Sequence, residues 1–378
     1  MPAMLDDFLK LLAGETPEGI VWTADLSYWM AGRGHDGTTD TAWGNEKGYL
    51  QLHRDLGVMP YYYYNKFWVA KTVYDGTIRS RTETEGNRTV STMETPVGAL
   101  RQISSFLPQS CCQGVEEYMV ETEADLDVML CMLEHRRLEP CNLDDYPQRR
   151  KLWEAYDGLP CLGLPRSPLP SLVTEWAGLQ NTVMLMLDCP DKTQQILSLL
   201  TEQEAPILEA VCELAPPVIH FPDNLSSENL TGYYDEHMRE RHRHRLGLLH
   251  AAGVKAAVHL DGTVRGLLPK LIDAGFDAVE ALTPTPAGDI SVDEMRELAG
   301  AAPTILWGGV PGAMFAPPYG WDAMRRHIEH VLEAWGSRPF ILGVADQVPP
   351  DGDVDFCRRI ADMVKARAPT TIPDPTTP

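Results

Sequence analysis

The sequence predicts an α/β protein, a (β/α)8 TIM barrel with β-hairpin decoration in its N-terminal half, on two observations. Five short apolar runs, at residues 217–221, 254–259, 277–282, 304–307 and 340–344, are each separated from the next by a helical or mixed stretch of about 15 to 30 residues. Strands alternating with helices at this spacing imply βα units and a parallel sheet. Each run also ends in polar or glycine residues: Asp223 and Asn224, His259-Leu260-Asp261-Gly262, Glu280 with Thr283, Gly308-Gly309, and Asp346 with Gln347. In such a barrel the chemistry sits at the C-terminal ends of the strands, where these residues would gather.

Taken in order, residues 20–25 read as a first barrel strand and 159–164 as a later one, running into Pro165-Arg166-Ser167-Pro168. Between them lies a β-rich insertion at about residues 60–120. Asp75-Gly76 sits among alternating residues as in a tight hairpin, and Gly86-Asn87 opens a second such turn. These hairpins are expected to cover one side of the barrel mouth. Residues 123–134 and 192–214 carry apolar side chains at helical spacing and read as barrel helices, with another helix over 233–252. Residues 1–368 are thus expected to form one barrel domain, and 369–378, mostly Pro and Thr, a disordered tail.

Composition limits the function. A net charge of −22 argues against nucleic acid, because phosphate binding needs clustered Lys and Arg. The one basic cluster, at 239–245, reads as a solvated helix face paired with Glu236 and Glu240. No apolar run reaches the length of about 18 residues that a membrane span needs, and residues 1–15 lack the pattern of a signal peptide. A cytoplasmic enzyme acting on a small molecule is expected. The eight cysteines form no C-x-x-C pair, and adjacent Cys111 and Cys112 have poor geometry for a mutual disulfide. They read as small buried hydrophobes in a reducing compartment, which makes a thiolate zinc site unexpected.

Chemistry concentrates at His259-x-Asp261-Gly262. Strand side chains alternate with period two, so the imidazole and the carboxylate point to the same side of the sheet, a place for a metal or a proton. His259 with Asp261, Glu280 and Asp346 is a permissible zinc set with an open position, and such hard ligands suit an oxygen donor better than a thiol. The other reading is a hydrogen bond between His259 and Asp261 without metal. Asp223 follows a strand, and its own surroundings suit a helix cap ahead of residues 225–227. Asp25, Tyr28 and Trp29 follow the first strand and would reach the mouth to bind substrate, the other reading of Asp25 being a hydrogen bond that orders the loop. Within the aromatic run 61–68, Tyr64 could stack on a substrate, although such runs more often pack. Trp307 belongs either to the barrel interior or to the pocket wall, and Gly308-Gly309 reads as a close backbone approach.

Several of these segments, residues 94–100, His259-x-Asp261-Gly262 with residues 267–279, and Leu306-Trp307-Gly308-Gly309-Val310, resemble the uroporphyrinogen decarboxylase superfamily. That superfamily includes cobalamin-dependent methyltransferases that demethylate methanol, methylamines and aryl methyl ethers. The resemblance implies a barrel with its site at the strand ends. The decarboxylases carry an Arg-rich signature after the first strand, and here Asp25 stands in that place, where it would repel an acidic porphyrinogen. The methyltransferases bind zinc through a His-x-Cys on the fifth strand and a Cys after the eighth. Here Asp261 and Asp346 stand at those positions.

The resemblance therefore implies a methyltransferase that moves a methyl group from a small O- or N-methyl compound to a corrinoid. The corrinoid would be carried on a partner protein, since no cobalamin-binding Asp-x-His-x-x-Gly occurs in this chain. On this expectation Asp223, His259, Asp261 and Asp346 are catalytic. Asp25, Tyr28, Trp29, Tyr64 and Trp307 bind substrate, and His259, Asp261 and Glu280 hold zinc. The alternatives are a lyase or decarboxylase acting on a small organic acid without corrinoid, and a non-catalytic binding protein. The family often forms dimers, which makes a homodimer the oligomer to expect.

Overall fold

The apolar runs become strands in a computed structural model that describes residues 3–367. In chain order the strands are β1 (Trp22–Thr23), β2 (Ala70–Tyr74), β3 (Arg79–Glu85), β4 (Arg88–Thr95), β5 (Gly98–Leu107), β6 (Cys112–Glu117), β7 (Arg136–Pro140), β8 (Val218–Leu225), β9 (Lys255–Leu260), β10 (Ala278–Leu282), β11 (Ile305–Pro311) and β12 (Phe340–Ala345). Six of them form a parallel sheet in the order β1-β12-β11-β10-β9-β8. Two shorter extended segments fill the gap between β1 and β8. Met59 N donates to Trp22 O at 2.9 Å, Cys161 N to Tyr61 O at 2.9 Å, and His220 N to Leu162 O at 2.8 Å. Residues 59–62 and 159–163 thereby complete a ring of eight, and the fold is a TIM barrel.

Period-two alternation sorts the strand residues into two cores. Val21, Met59, Tyr61, Cys161, Val218, Ala257, Ala278, Ile305, Trp307 and Ile341 pack inside the barrel. Their neighbours, among them Ile219, Phe221, Val258, Val279, Leu306 and Leu342, pack outward against the helices. The helix Met4–Leu12 joins the inner core, its Phe8 ring 5.4 Å from Trp307 and 5.7 Å from Tyr61. Asp157 accepts the Met4 and Leu5 amides at the start of that helix, both at 2.9 Å, where a negative charge also complements the helix dipole. Gly308 lies so close to β10 that a Cβ there would stand 2.6 Å from Leu282 N, which fits its reading as a close backbone approach.

The insertion differs in detail from expectation. Tyr61 and Tyr62 belong to the barrel ring, and the decoration starts beyond them. Gly86-Asn87 joins the antiparallel pair β3 and β4 as expected. Asp75-Gly76 does not make a hairpin, because β2 pairs with β7 while β3 opens the separate meander β3-β4-β5-β6. The meander packs on the outer core through Ile78, Met93, Leu100 and Ile103, and Phe106 meets His35 of the helix that follows β1 at 5.7 Å. The helix Glu123–Glu134 forms with a Thr122 capping box. The predicted helix over 192–214 is two helices, Pro190–Gln203 and Ala205–Leu214, because Pro206 cannot donate to a continuing helix. The one over 233–252 is also two, Ser227–His237 and Arg239–Ala251, broken at Met238. The predicted tail at 369–378 lies outside the described residues. No helix among the described residues is long and apolar enough to cross a membrane.

The basic cluster is only partly a solvated face. Arg239 pairs with Asp235 and Asp273, but His242 and Arg245 on the opposite side are buried. Elsewhere burial also acts on His53, in the helix Glu46–Leu56, and lowers its pKa to about 4 against a smaller opposing effect of the Tyr49 carbonyl. The unfolded chain takes up that proton near pH 6.5, so stability is complete above this value and falls as the pH drops toward 4. Between pH 7.5 and 4.5 the protein should lose about 2–3 kcal/mol more than a His53→Gln variant in denaturant titrations. Parallel pH profiles would contradict the assignment.

Candidate metal centre at the barrel mouth

Three adjacent strands place the polar cluster. Alternation sends Val218 and His220 of β8, Ala257 and His259 of β9, and Ala278 and Glu280 of β10 toward the barrel interior, with Glu280 in register beside His259. The Glu280 carboxylate is 1% exposed. Its Oε2 lies 2.6 Å from His259 Nδ1 and 3.3 Å from His220 Nε2, and Oε1 accepts the Tyr62 hydroxyl at 2.5 Å. Burial alone would raise the Glu280 pKa, but the facing imidazoles reverse this and hold it well below the usual carboxylate range. Burial likewise opposes charge on His259, and the neighbouring carboxylates, Glu280 foremost, overcome it and push its pKa up to about 9.

His220, His259 and Glu280 each offer a ligand atom, all within 4.8 Å of one another. Tetrahedral zinc with bonds near 2.0–2.1 Å sets its ligand atoms about 3.3 Å apart. The His220–Glu280 separation of 3.3 Å already meets this. The His259–Glu280 separation is that of a hydrogen bond and would open slightly as the shared proton gives way to a cation. Buried His220 Nδ1 has no hydrogen-bond partner. Two imidazoles and a carboxylate, with room for a further ligand, suit a catalytic divalent site.

A cavity of about 280 Å³ opens over the cluster, with Tyr28, Tyr62, Tyr64, His220, His259 and Asp346 on its wall. Asp346 stands just beyond β12 in a left-handed conformation, φ 66°. Burial and the nearby carboxylates of Asp261, Asp25 and Glu280 push its pKa up to about 6, against the pull of His259. Tyr64 donates to Asp25 Oδ2 at 2.7 Å, and Ser27 holds the other oxygen through its amide at 2.8 Å. Asp25 is buried and reaches the cavity through Tyr64.

Of the residues singled out from sequence, His259, Glu280, Asp346, Tyr28 and Tyr64 come together here, and others do not. Asp261 is exposed on the rim, 3.4 Å from Asn224 Nδ2, and is not part of the metal set; His220 takes the third place. His259 pairs with Glu280 and not with Asp261. Asp223 points out of the barrel, because His220, Pro222 and Asn224 take the inward positions of β8. Its carboxylate is buried and accepts from the Ser167 amide at 2.7 Å and hydroxyl at 2.7 Å, with His242 Nε2 at 3.1 Å. The same His242 nitrogen faces both Ser167 and Asp223, so the trio cannot relay a proton as a hydrolase triad does. Trp29 packs against Trp43 at 5.4 Å and does not line the cavity. Trp307 donates to Thr23 Oγ1 at 2.8 Å inside the barrel, below the site. The sequence signal for His220 was its two-residue offset from Val218 on an otherwise apolar strand.

Residues 150–367, more than half of the chain, match the family model described as uroporphyrinogen decarboxylase (URO-D). The chain belongs to this family. Among solved structures, a methyltransferase from Methanosarcina mazei is similar, with a TM-score of 0.58 and 14% identity over 96% of this chain and 98% of that one. A B12-independent methionine synthase from Shewanella sp. W3-18-1 aligns with a TM-score of 0.41 and 10% identity over 61% of this chain and 72% of its own. No curated protein sequence matches significantly. The uroporphyrinogen decarboxylase fold accounts for the ring of strands and for a site at its C-terminal mouth.

If the cluster is a metal centre, His220→Ala, His259→Ala and Glu280→Gln should each abolish stoichiometric zinc uptake by the purified protein, read by elemental analysis. Tyr62→Phe, which removes only the hydroxyl that orients Glu280, should weaken zinc about 10–100-fold, and Asp261→Ala should leave it unchanged. Full metal content in all three ligand variants would refute the centre.

Proposed function

We propose that the protein is a methyltransferase that takes a methyl group from a small O-methyl or N-methyl compound and passes it to a corrinoid carried on a separate protein. The observation that carries this reading is the buried His220–His259–Glu280 cluster, a candidate zinc site that opens onto a cavity of small-molecule size. Membership in the uroporphyrinogen decarboxylase family supports it, and the Methanosarcina methyltransferase that shares the fold makes methyl transfer the first activity to test.

Zinc at this cluster would supply Lewis-acid withdrawal of charge from the heteroatom that bears the methyl group. The residues of the chain do the rest. Glu280, fixed by Tyr62, keeps both imidazoles turned toward the cavity. Tyr28 and Tyr64 flank the space a substrate would fill, and Asp346 lies on the same wall, where its carboxylate can accept a hydrogen bond from the departing heteroatom once that is protonated. As the carbon–heteroatom bond breaks, its electron pair stays on the heteroatom, which takes up a proton from solvent, and a corrinoid would supply the nucleophile that accepts the methyl carbon.

A decarboxylase is the second reading, favoured by Arg166, whose guanidinium lies on the same cavity wall and could hold a substrate carboxylate. One assay separates the two. Zinc-loaded protein, cob(I)alamin and a panel of O-methyl and N-methyl compounds should give methylcobalamin by its absorbance, with the rate falling at least about 100-fold in Glu280→Gln. Carbon dioxide release from small acids without corrinoid, and no methylcobalamin from any compound, would replace methyl transfer with decarboxylation.

A further inference from the structure

A second cavity, of about 170 Å³, adjoins Trp68. Trp68 and Arg166 wall both spaces, and Arg136, Glu175 and Glu204 complete the polar lining of this one. Arg136 opens β7 opposite Tyr74. Its Nε and Nη1 are buried and donate to no acceptor among the described residues. Glu175 and Glu204 line the same cavity and act on Arg136 through space, but neither accepts a hydrogen bond from it. Glu175 receives Arg166 at 2.8 Å on one oxygen and the Ser171 hydroxyl at 2.6 Å on the other. Glu204 Oε2 faces Arg245 Nε at 3.5 Å. The Nε of Arg166 is likewise buried without a partner, while its Nη2 reaches Asn224 at 3.2 Å.

A buried guanidinium with orphaned N–H groups is costly unless an acceptor meets them, even where carboxylates lie nearby. Arginine donors suit the oxygens of carboxylate and phosphate, and a volume worth about five waters at about 30 Å³ each admits either head group. We propose that this cavity is a binding site for a small oxyanion, a carboxylate or a phosphate, held by Arg136 and Arg166. The site survives failure of the methyl-transfer reading, because Arg136, the residue tested, lines this cavity and not the one over the metal cluster.

Thermal unfolding of the full chain tests it, with sodium phosphate, acetate and chloride compared at equal ionic strength. In the wild type, phosphate, acetate or both should raise the midpoint by about 2 °C or more over chloride. Phosphate alone would assign a phosphate site, acetate alone a carboxylate site, and both a general oxyanion site. Arg136→Met, which keeps the aliphatic stem, should lose the response and be no less stable than wild type in chloride. Arg136→Lys should respond more weakly than wild type, and it carries the comparison if the Met variant does not fold. An equal response in wild type and variant, which marks general exclusion of the salt from the surface, would overturn the site. So would a wild type that responds to neither oxyanion, since water would then suffice for Arg136.

Discussion

The buried carboxylate of Glu280 is the constraint on which the mouth of the barrel depends. A carboxylate removed from water costs several kcal/mol unless charge and hydrogen bonds replace its hydration. His259, His220 and Tyr62 provide that replacement from three other segments of the ring. Each contact presupposes a register: Glu280 beside His259 on adjoining strands, and Tyr62 on the short segment that closes the barrel. The helix Met4–Leu12 and Trp307 fill the interior beneath. The apolar plug thus keeps the polar layer dry from below, so solvent and substrate approach it from the mouth.

A second polar network lies only three residues from the first along β8 and serves another purpose. His220 faces the cavity, whereas Asp223 faces outward, where Ser167, His242 and Arg245 surround it. This buried set fastens the start of the loop after 159–163 to β8 and to the helix Arg239–Ala251. Its members meet no cavity at the mouth, so its role is to hold the strands that carry His220 in place. The partly buried basic helix follows from the same demand, since Arg245 supplies the positive charge that Asp223 and Glu204 require.

The ring of strands was legible because βα units impose a rhythm that survives local variation, and the strand ends named the right face. The site was legible where chemistry and strand period agreed, as at His259 and Glu280. It failed where a residue's side of the strand depended on register. Asp223 and Asp261 both sit at strand ends and carry the right functional group. Yet one turns outward against His242, and the other lies past the end of β9 on the rim. His220 was hidden because it lies inside an apolar run, and only its phase with Val218 marks it as inward. Segment 159–163 reads as a barrel strand from sequence, but 59–62 is too short to carry a periodic signal, so Tyr62, the partner of Glu280, reads as part of an aromatic insertion.

The acidic residues around the cluster have an electrostatic consequence that the geometry makes concrete. Glu280, Asp25 and Asp346 converge on one small space, with Asp261 close enough to act on Asp346. Like charges this near repel one another, and the raised pKa of Asp346 is the sign of that repulsion added to burial. The protein carries the opposing charge at His259, whose pKa is raised by the same neighbours. A divalent cation on His220, His259 and Glu280 would take over that task from the imidazolium. It would release the His259 proton and draw Asp346 back toward its ionised form. Metal and proton would then be alternatives at one place, and the acidic surroundings would favour the cation over the protonated cluster.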